Sequence, residues 1–187
     1  LINNVIKQHS GEQLIIGANG ASGYFFRKYK DIAKPKYIRY YERGNYDWDY
    51  AIICNSYLNP FQLQKGLWPP KNTIHTIKVD DKPICAIIKR EDKNDYLGFT
   101  SMQNSKSANA INYLEKAVKY DKNNECALLN LAWSYNSIRS YDNALKNLGK
   151  CLEIFPDWDK ALDLAGRIYL QKNEIENAIS LFKKTIK

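Results

Sequence analysis

The sequence predicts a small α/β domain over residues 1–90, followed by an all-α domain, an α-α superhelix of repeated helix pairs, over residues 91–187. Short isoleucine-rich runs in the first part are typical of buried strands. The second part repeats itself at an offset of 34 residues, a period typical of stacked helix pairs. The net charge of +8 is uneven, because residues 1–90 carry 14 Lys/Arg against 7 Asp/Glu, giving +7. The two parts therefore differ in architecture and in charge.

The chain opens with alternating helices and strands. Residues 2–9, INNVIKQH, have the spacing of a short amphipathic helix. Residues 12–19, EQLIIGAN, form an apolar run that predicts a buried strand. Residues 21–32, ASGYFFRKYKDI, predict a second helix with Ser22 near its start.

A glycine-rich turn, GANGASG, lies between this strand and the second helix. Gly17, Gly20 and Gly23 are spaced by three, which matches neither G-x-G-x-x-G nor a P-loop, since no Lys-Ser/Thr follows. A helix N-terminus here would favour an anion, with Gly20 and Ser22 as candidate ligand contacts. The alternative is a tight turn that needs positive φ angles.

The next segments predict two strands and a short helix. Residues 36–42, KYIRYYE, alternate like a strand, and residues 49–57, DYAIICNSY, read as an apolar strand. Residues 59–68, NPFQLQKGLW, predict a short helix with Asn59 as its N-cap and Pro60 at its first position.

Two further strands complete the first domain. Residues 73–79, TIHTIKV, and residues 83–90, PICAIIKR, are joined by Asp-Asp-Lys and predict a β-hairpin. The predicted order is αβαββαββ.

The aromatic stretch RYYERGNYDWDYAIICNSY is a candidate catalytic, metal-binding or ligand-binding site. Asp47 and Asp49 would face the same way on an extended segment, and paired carboxylates can perform acid–base chemistry or hold a metal. No histidine or third acid lies near them in sequence, and RGNYD is a turn signal. The sequence favours a structural corner; a ligand-contacting surface of Asp47, Trp48 and Asp49, or catalysis, stays open.

The cysteines and histidines do not form a metal motif. Cys54, Cys85, Cys126 and Cys151 contain no C-x-x-C pair, and the two histidines are not grouped with them, so no zinc or other metal site is expected. Separately, the preferred interpretation assigns no cofactor and no catalytic residue. Cys54 and Cys85 lie in apolar runs, and a disulfide between them depends on an oxidising compartment. The basic residues are spread along the first half without a recognition motif, so no nucleic acid is expected as a partner.

The repeat in the second half keeps its phase at many positions. Asn109–Ile111 aligns with Asn143–Leu145 and Asn177–Ile179, which divides the chain into repeats at 91–124, 125–158 and 159–187. The shared alanines, Ala110, Ala144 and Ala178, mark where the helices of a pair approach closely. This region resembles the tetratricopeptide repeat (TPR) family.

The resemblance implies a protein or peptide partner on the face of the superhelix. Tyr135 and Tyr169, which repeat in phase, are the candidate contacts. The first repeat has Ser101 in place of the expected aromatic, so its first helix should be short. No polar capping helix follows the last helix, so the apolar face around Ile168, Ile179 and Phe182 should stay partly open and favour self-association.

Three motifs in the first half carry a second resemblance: GNYDWDYAI, NPFQL and WPPKNTIHTIKVD, within residues 37–90. They are similar to the soluble C-terminal tails of bacterial multi-pass dolichyl-phosphate-mannose protein mannosyltransferase-like glycosyltransferases. In that family the catalytic acids belong to the membrane portion, so none carries over. The resemblance implies a piece of a longer membrane protein on the extracytoplasmic (periplasmic) face, near anionic lipid headgroups; a cytoplasmic location stays open.

These features predict a non-catalytic protein-interaction or scaffolding module. The alternative is a sugar- or nucleotide-phosphate-binding accessory domain, in which the aromatic stretch stacks on a sugar and the glycine turn holds a phosphate.

Overall fold

A computed structural model describes residues 13–19 and 31–185. The helix expected at residues 2–9, most of the helix expected at residues 21–32, and the candidate residues Gly20 and Ser22 lie outside the described residues. The chain forms two compact units that are not contiguous in sequence. The second unit combines Asn59–Lys65 with the residues from Lys93 onward, and the first contains the remainder.

The first unit contains a five-stranded sheet with the order β2-β1-β3-β5-β4. Its strands are β1 (Leu14–Ala18), β2 (Ala33–Tyr37), β3 (Tyr50–Cys54), β4 (Thr73–Val79) and β5 (Lys82–Lys89). β1 runs parallel to β2 and β3, whereas β5 is antiparallel to β3 and β4. The strands expected around residues 12–19, 73–79 and 83–90 are confirmed.

Alternation along the strands produces the core of this unit. Ala51 and Ile53 of β3 lie on the same face as Ala86 and Ile88 of β5, and all four are buried. Trp48 packs into the same cluster. Residues two apart on a strand share a face, so β3 and β5 each contribute every second side chain to this core.

The strand expected at residues 36–42 is wrong. Only its first two residues lie in β2, and Tyr40–Asn45 form a 3₁₀ helix. The apolar alternation that suggested a strand comes from Ile38 and Tyr40, which are buried in the core but follow β2. β2 is an edge strand with exposed side chains, which explains why it accepts Pro35 and lacks an apolar signal.

Two local expectations need smaller corrections. The strand expected at residues 49–57 ends at Cys54, and a 3₁₀ turn follows over Asn55–Tyr57. Gly17, which the sequence places in the glycine-rich turn, lies inside β1. A Cβ atom at Gly17 would lie 2.5 Å from Ile38 Cδ1, so glycine is needed there for close packing.

The β4–β5 hairpin turns at Asp80 and Asp81, whose φ angles are +48° and +60°. Positive φ at both central residues is the geometry of a type I′ turn, which matches the twist of the two strands. Aspartate is one of the residues that accept this conformation, and the sequence DDK therefore fits a tight hairpin.

The second unit is a set of helix pairs with one added short helix. The short helix is α1 (Pro60–Gln64). The pairs are α2 (Asn94–Gln103) with α3 (Ser107–Tyr120), α4 (Glu125–Ser137) with α5 (Tyr141–Ile154), and α6 (Asp159–Gln171) with α7 (Ile175–Thr185). α2 has 10 residues against 13 in α4 and in α6, so the short first helix is confirmed.

α1 has the caps that its sequence predicts. The Asn59 side chain accepts a hydrogen bond from the Gln62 backbone N–H at 3.0 Å, and Pro60 occupies the first turn. The Gln62 side chain then donates to Glu125 Oε1 at 2.7 Å. Gln62 is 4% exposed and Glu125 is fully buried, so this polar pair fixes α1 inside the repeat unit.

Small side chains set the spacing of each pair. Ala110, Ala144 and Ala178 are all fully buried at the same repeat position. Gly166 is a second small position, because a Cβ there would lie 2.6 Å from Phe182 Cε1. The helices of a pair therefore meet at distances that larger side chains would prevent.

Ala144→Leu tests this packing. The larger side chain should overpack the α4–α5 contact and lower the free energy of unfolding by about 1–3 kcal/mol, measured by urea denaturation. Gly149→Ala is the matched control on α5, because its added Cβ meets nothing within 4 Å; it should stabilise the helix by about 0.5–1 kcal/mol. Parental stability in Ala144→Leu would contradict the assigned repeat phase.

Candidate functional site

The first helices of the three pairs, α2, α4 and α6, contact one another in succession and form one side of the repeat unit. Residues 34 apart occupy equivalent places on them. Phe99, Trp133 and Arg167 are equivalent in this way and form a row that is called here the inner-helix stripe. The stripe is the candidate interaction site.

Trp133 is the central residue of the stripe. On α4 the residues that pack into the apolar cluster with α3 include Ala127, Leu131 and Tyr135. Trp133 is two residues from both Leu131 and Tyr135, and at 100° per residue it therefore lies on the other side of the helix. Its side chain is 37% exposed, an unusual exposure for the largest apolar side chain.

Asn136 lies one turn after Trp133 and adds a polar group to this side of α4. Its Oδ1 atom is buried and accepts no hydrogen bond from any residue that the structure describes. An acceptor that is shielded from water without a donor is costly, and the same shielding keeps this atom out of reach of a partner.

Arg167, on α6, is the charged residue of the inner-helix stripe. Arg167 Nε lies 2.9 Å from Asp163 Oδ2, and the two side chains are 63% and 40% exposed. An exposed pair of this kind contributes little to stability. A carboxylate on a partner could therefore replace Asp163 without a large loss.

Asp49 has a structural role in the first unit. Its Oδ2 accepts a hydrogen bond from the Ile15 backbone N–H at 2.8 Å, and its own N–H donates to the Ile15 carbonyl at 2.8 Å. The carboxylate thus links β1 to the chain that enters β3, as the corner interpretation required. The amide that donates to this carboxylate lies 34 residues earlier in the chain. Asp47 is half-buried beside it.

Trp48 is buried and its ring is enclosed by protein groups. It is 3% exposed, and its Nε1 donates to the Arg43 carbonyl at 2.9 Å. The guanidinium carbon of Arg90 lies 4.6 Å from the ring centroid, a cation–π contact. Trp48 therefore stabilises the sheet core.

Tyr135 and Tyr169, the expected partner contacts, are half-buried. The Tyr135 hydroxyl donates to Glu115 Oε1 at 2.5 Å, which joins α4 to α3. Burial, together with Glu115, raises the pKa of Tyr135 to about 12. Whether Gly20, Ser22, Asp47, Trp48, Asp49, Tyr135 or Tyr169 contacts a ligand or partner stays a prediction.

Sequence reasoning missed the inner-helix stripe, although the signal was present. The offset of 34 that aligned Tyr135 with Tyr169 also aligns Trp133 with Phe99 and Arg167. The helical phase then separates the α4 positions that pack against α3 from those on the opposite side of the helix.

The described residues show neither a metal-binding cluster nor a membrane-spanning helix. Residues 13–19 and 31–185 contain no group of three or more His, Cys, Asp or Glu side chains that could hold a metal ion. Within the same part of the chain, none of the helices has both the length and the apolarity that crossing a bilayer requires.

Family models confirm the repeats in the second half. Tetratricopeptide repeats match residues 127–157 in one model and residues 97–124 and 159–187 in another. The TPR resemblance is therefore confirmed.

Relatives that share sequence with this chain are much longer. The heat shock protein sti1 homolog of Schizosaccharomyces pombe is 31% identical over 78 residues, 42% of this chain and 13% of that protein. Protein O-mannosyl-transferase TMTC3 of Homo sapiens is 33% identical over 110 residues, 56% of this chain and 12% of that protein. The chain thus spans about one eighth of their length.

Solved structures resemble about half of the chain. A crystal structure of MamA has a TM-score of 0.49 at 24% identity, covering 50% of this chain and 55% of that one. The second TPR of Spaghetti (RPAP3), bound to an HSP90 peptide, has a TM-score of 0.46 at 20% identity, covering 48% and 82%.

Asp49→Ala tests the structural corner. The substitution leaves the Ile15 N–H without its acceptor and should lower the free energy of unfolding by about 1–3 kcal/mol. Asp49→Asn is the control, because the amide oxygen of asparagine can still accept this hydrogen bond. Its free energy of unfolding should therefore stay close to that of the parent. A parent whose melting temperature rises with millimolar divalent metal or sugar phosphate, while both variants melt as the parent does, would instead make this stretch a binding site.

Proposed function

We propose that this chain is a non-catalytic protein-interaction module whose inner-helix stripe holds an extended protein segment or peptide. The carrying observation is the exposed Trp133 at the centre of the stripe, between Phe99 and Arg167. Stacked repeats create extended surfaces of this kind, and exposed tryptophans and arginines are the side chains that dominate binding energies at interfaces.

The stripe predicts the chemistry of the bound segment. Trp133 and the half-buried Phe99 provide an apolar surface for one apolar or aromatic side chain. Arg167 pairs with a carboxylate through its planar guanidinium. The preferred segment therefore carries an apolar residue and an acidic residue.

Trp133→Ala tests the proposal. Peptides selected on the intact chain from a displayed random library should bind this variant at least about 30-fold more weakly by calorimetry, the effect of losing a central aromatic contact. Tyr120→Ala is the control, because Tyr120 is 54% exposed and lies on α3 outside the stripe; it should bind as the parent does. Equal affinity of the parent and Trp133→Ala for every selected peptide would exclude the stripe as the site.

Arg167→Gln separates charge from packing in the same assay. The substitution should weaken the binding of acidic peptides several-fold and reduce the salt dependence of that binding, because one screened ion pair is lost. Peptides without acidic residues should be unaffected. Unchanged binding and salt dependence would remove Arg167 from the site.

The proposal also covers the parent protein of the module and its location relative to the membrane. The motifs in residues 37–90 and the partial similarity to a human protein O-mannosyl-transferase support a tail of a membrane glycosyltransferase-like protein on the extracytoplasmic side. The net charge of +7 on residues 1–90 would suit a position near anionic lipid. Sedimentation with phosphatidylglycerol vesicles, but not with phosphatidylcholine vesicles, is the expected result, and equal sedimentation with both would contradict it.

Self-association through α7 is also proposed. Ile175 and Ile179 are 54% and 46% exposed, which supports an apolar contact there. Ile168, expected on this open face, is fully buried. Ile179→Lys should abolish a concentration-dependent dimer seen by light scattering, whereas Ile138→Lys, at a residue 52% exposed outside α7, should not. A parent that stays monomeric at high concentration would refute the contact.

A further inference from the structure

We propose that Cys54 and Cys85 form a cross-strand disulfide when the chain is in an oxidising compartment. The two residues lie directly opposite each other in the antiparallel pairing of β3 with β5. Both belong to the first unit. The inference goes beyond the interaction function and does not depend on it.

The hydrogen-bond pattern of β3 and β5 places this pair at a narrow site. The Arg90 N–H donates to the Asp49 carbonyl at 2.9 Å, so these two opposed residues form a hydrogen-bonded pair. Hydrogen-bonded pairs alternate with non-hydrogen-bonded pairs along an antiparallel ladder. Counting along the register, Cys54–Cys85 falls on a non-hydrogen-bonded pair.

Asn19 gives independent evidence for this assignment. Its Nδ2 donates to the Cys54 carbonyl at 3.1 Å, and its Oδ1 accepts from the Cys54 N–H at 2.7 Å. Both backbone polar groups of Cys54 are therefore turned toward the β1 side and away from β5. Asn19, itself 1% exposed, also holds the Cys54 backbone in place.

The spacing of such pairs fits a disulfide. Opposed Cα atoms in non-hydrogen-bonded pairs are about 4.5 Å apart, with the side chains close together. Disulfides join Cα atoms about 4.4–6.8 Å apart. The bond can thus form without a change of strand register.

The oxidant is a small disulfide such as oxidised glutathione. Cys54 is half-buried and Cys85 is 7% exposed, so Cys54 is the first to react. Its thiolate attacks one glutathione sulfur and releases reduced glutathione, leaving a mixed disulfide. The Cys85 thiolate then attacks the Cys54 sulfur and releases the second glutathione. Two protein thiols are oxidised, and one glutathione disulfide becomes two thiols that take up the two protons.

The second step should depend on pH. Burial, together with the neighbouring Cys54 thiol, raises the pKa of Cys85 to about 12. Burial, the larger cause, persists in the mixed disulfide, so Cys85 stays mostly protonated at neutral pH, and only its thiolate can close the disulfide. The rate of closure should rise by about tenfold for each pH unit above neutrality.

The closed loop contains α1. Cys54 and Cys85 flank the segment that includes Asn59–Lys65, which belongs to the second unit. Closing this loop restricts the unfolded chain, and the oxidised protein should melt about 5–10 °C above the reduced protein.

The test is disulfide mapping after incubation with excess oxidised glutathione. The intact chain should lose two of its four thiols, and a peptide digest should contain Cys54 linked to Cys85. Cys54→Ser/Cys85→Ser should keep both remaining thiols and lose the shift in melting temperature. Cys126→Ala/Cys151→Ala is the matched control, because it removes the two cysteines that are buried in the second unit and keeps Cys54 and Cys85. This variant should still lose two thiols.

Two results would overturn the proposal. One is a parent protein that still has all four thiols after incubation with excess oxidised glutathione at alkaline pH. The other is a linkage that joins either cysteine to any other residue. Since both are measured on the intact chain, the proposal stays testable if a serine variant fails to fold.

Discussion

The second unit depends on one steric constraint, the close approach of two helices within each pair. Ala110, Ala144 and Ala178 leave no exposed surface, and Gly166 admits the Phe182 ring where a methyl group would collide. Because these small residues recur every 34 positions, each pair meets its neighbours in the same geometry. The helical period places Trp133 on the side of α4 opposite the residues that pack against α3, so the inner-helix stripe stays outside that packing.

The features that could be predicted from the sequence are those that local chemistry decides. The Asp-Asp turn produced the expected hairpin, Asn59 and Pro60 began α1, and the missing aromatic at Ser101 corresponded to a shorter α2. Each of these depends on residues within a few positions of one another. The 34-residue period is also local, because repeated pairs contact only their neighbours.

The features that were missed depend on residues distant in the chain. β2 could not be placed, because an exposed edge strand has no apolar pattern and is defined only by its pairing with β1. The partner of Asp49 is an amide 34 residues earlier, which no turn rule identifies. Identifying the inner-helix stripe required knowledge of which side of α4 is covered, whereas the in-phase tyrosines of the sequence pointed to Tyr135.

The contact between Gln62 and Glu125 has a consequence for modularity. Repeat arrays are often treated as cassettes that can be shortened, exchanged or transplanted at the limits of their sequence period. Here the second repeat has a fully buried carboxylate at its first position, and the amide that meets it comes from a helix 63 residues earlier. A transplant that begins at the first repeat would carry the acid without this amide. Exchange between related chains would therefore be expected to preserve these two positions together, which makes Gln62 and Glu125 a pair whose substitutions should be correlated.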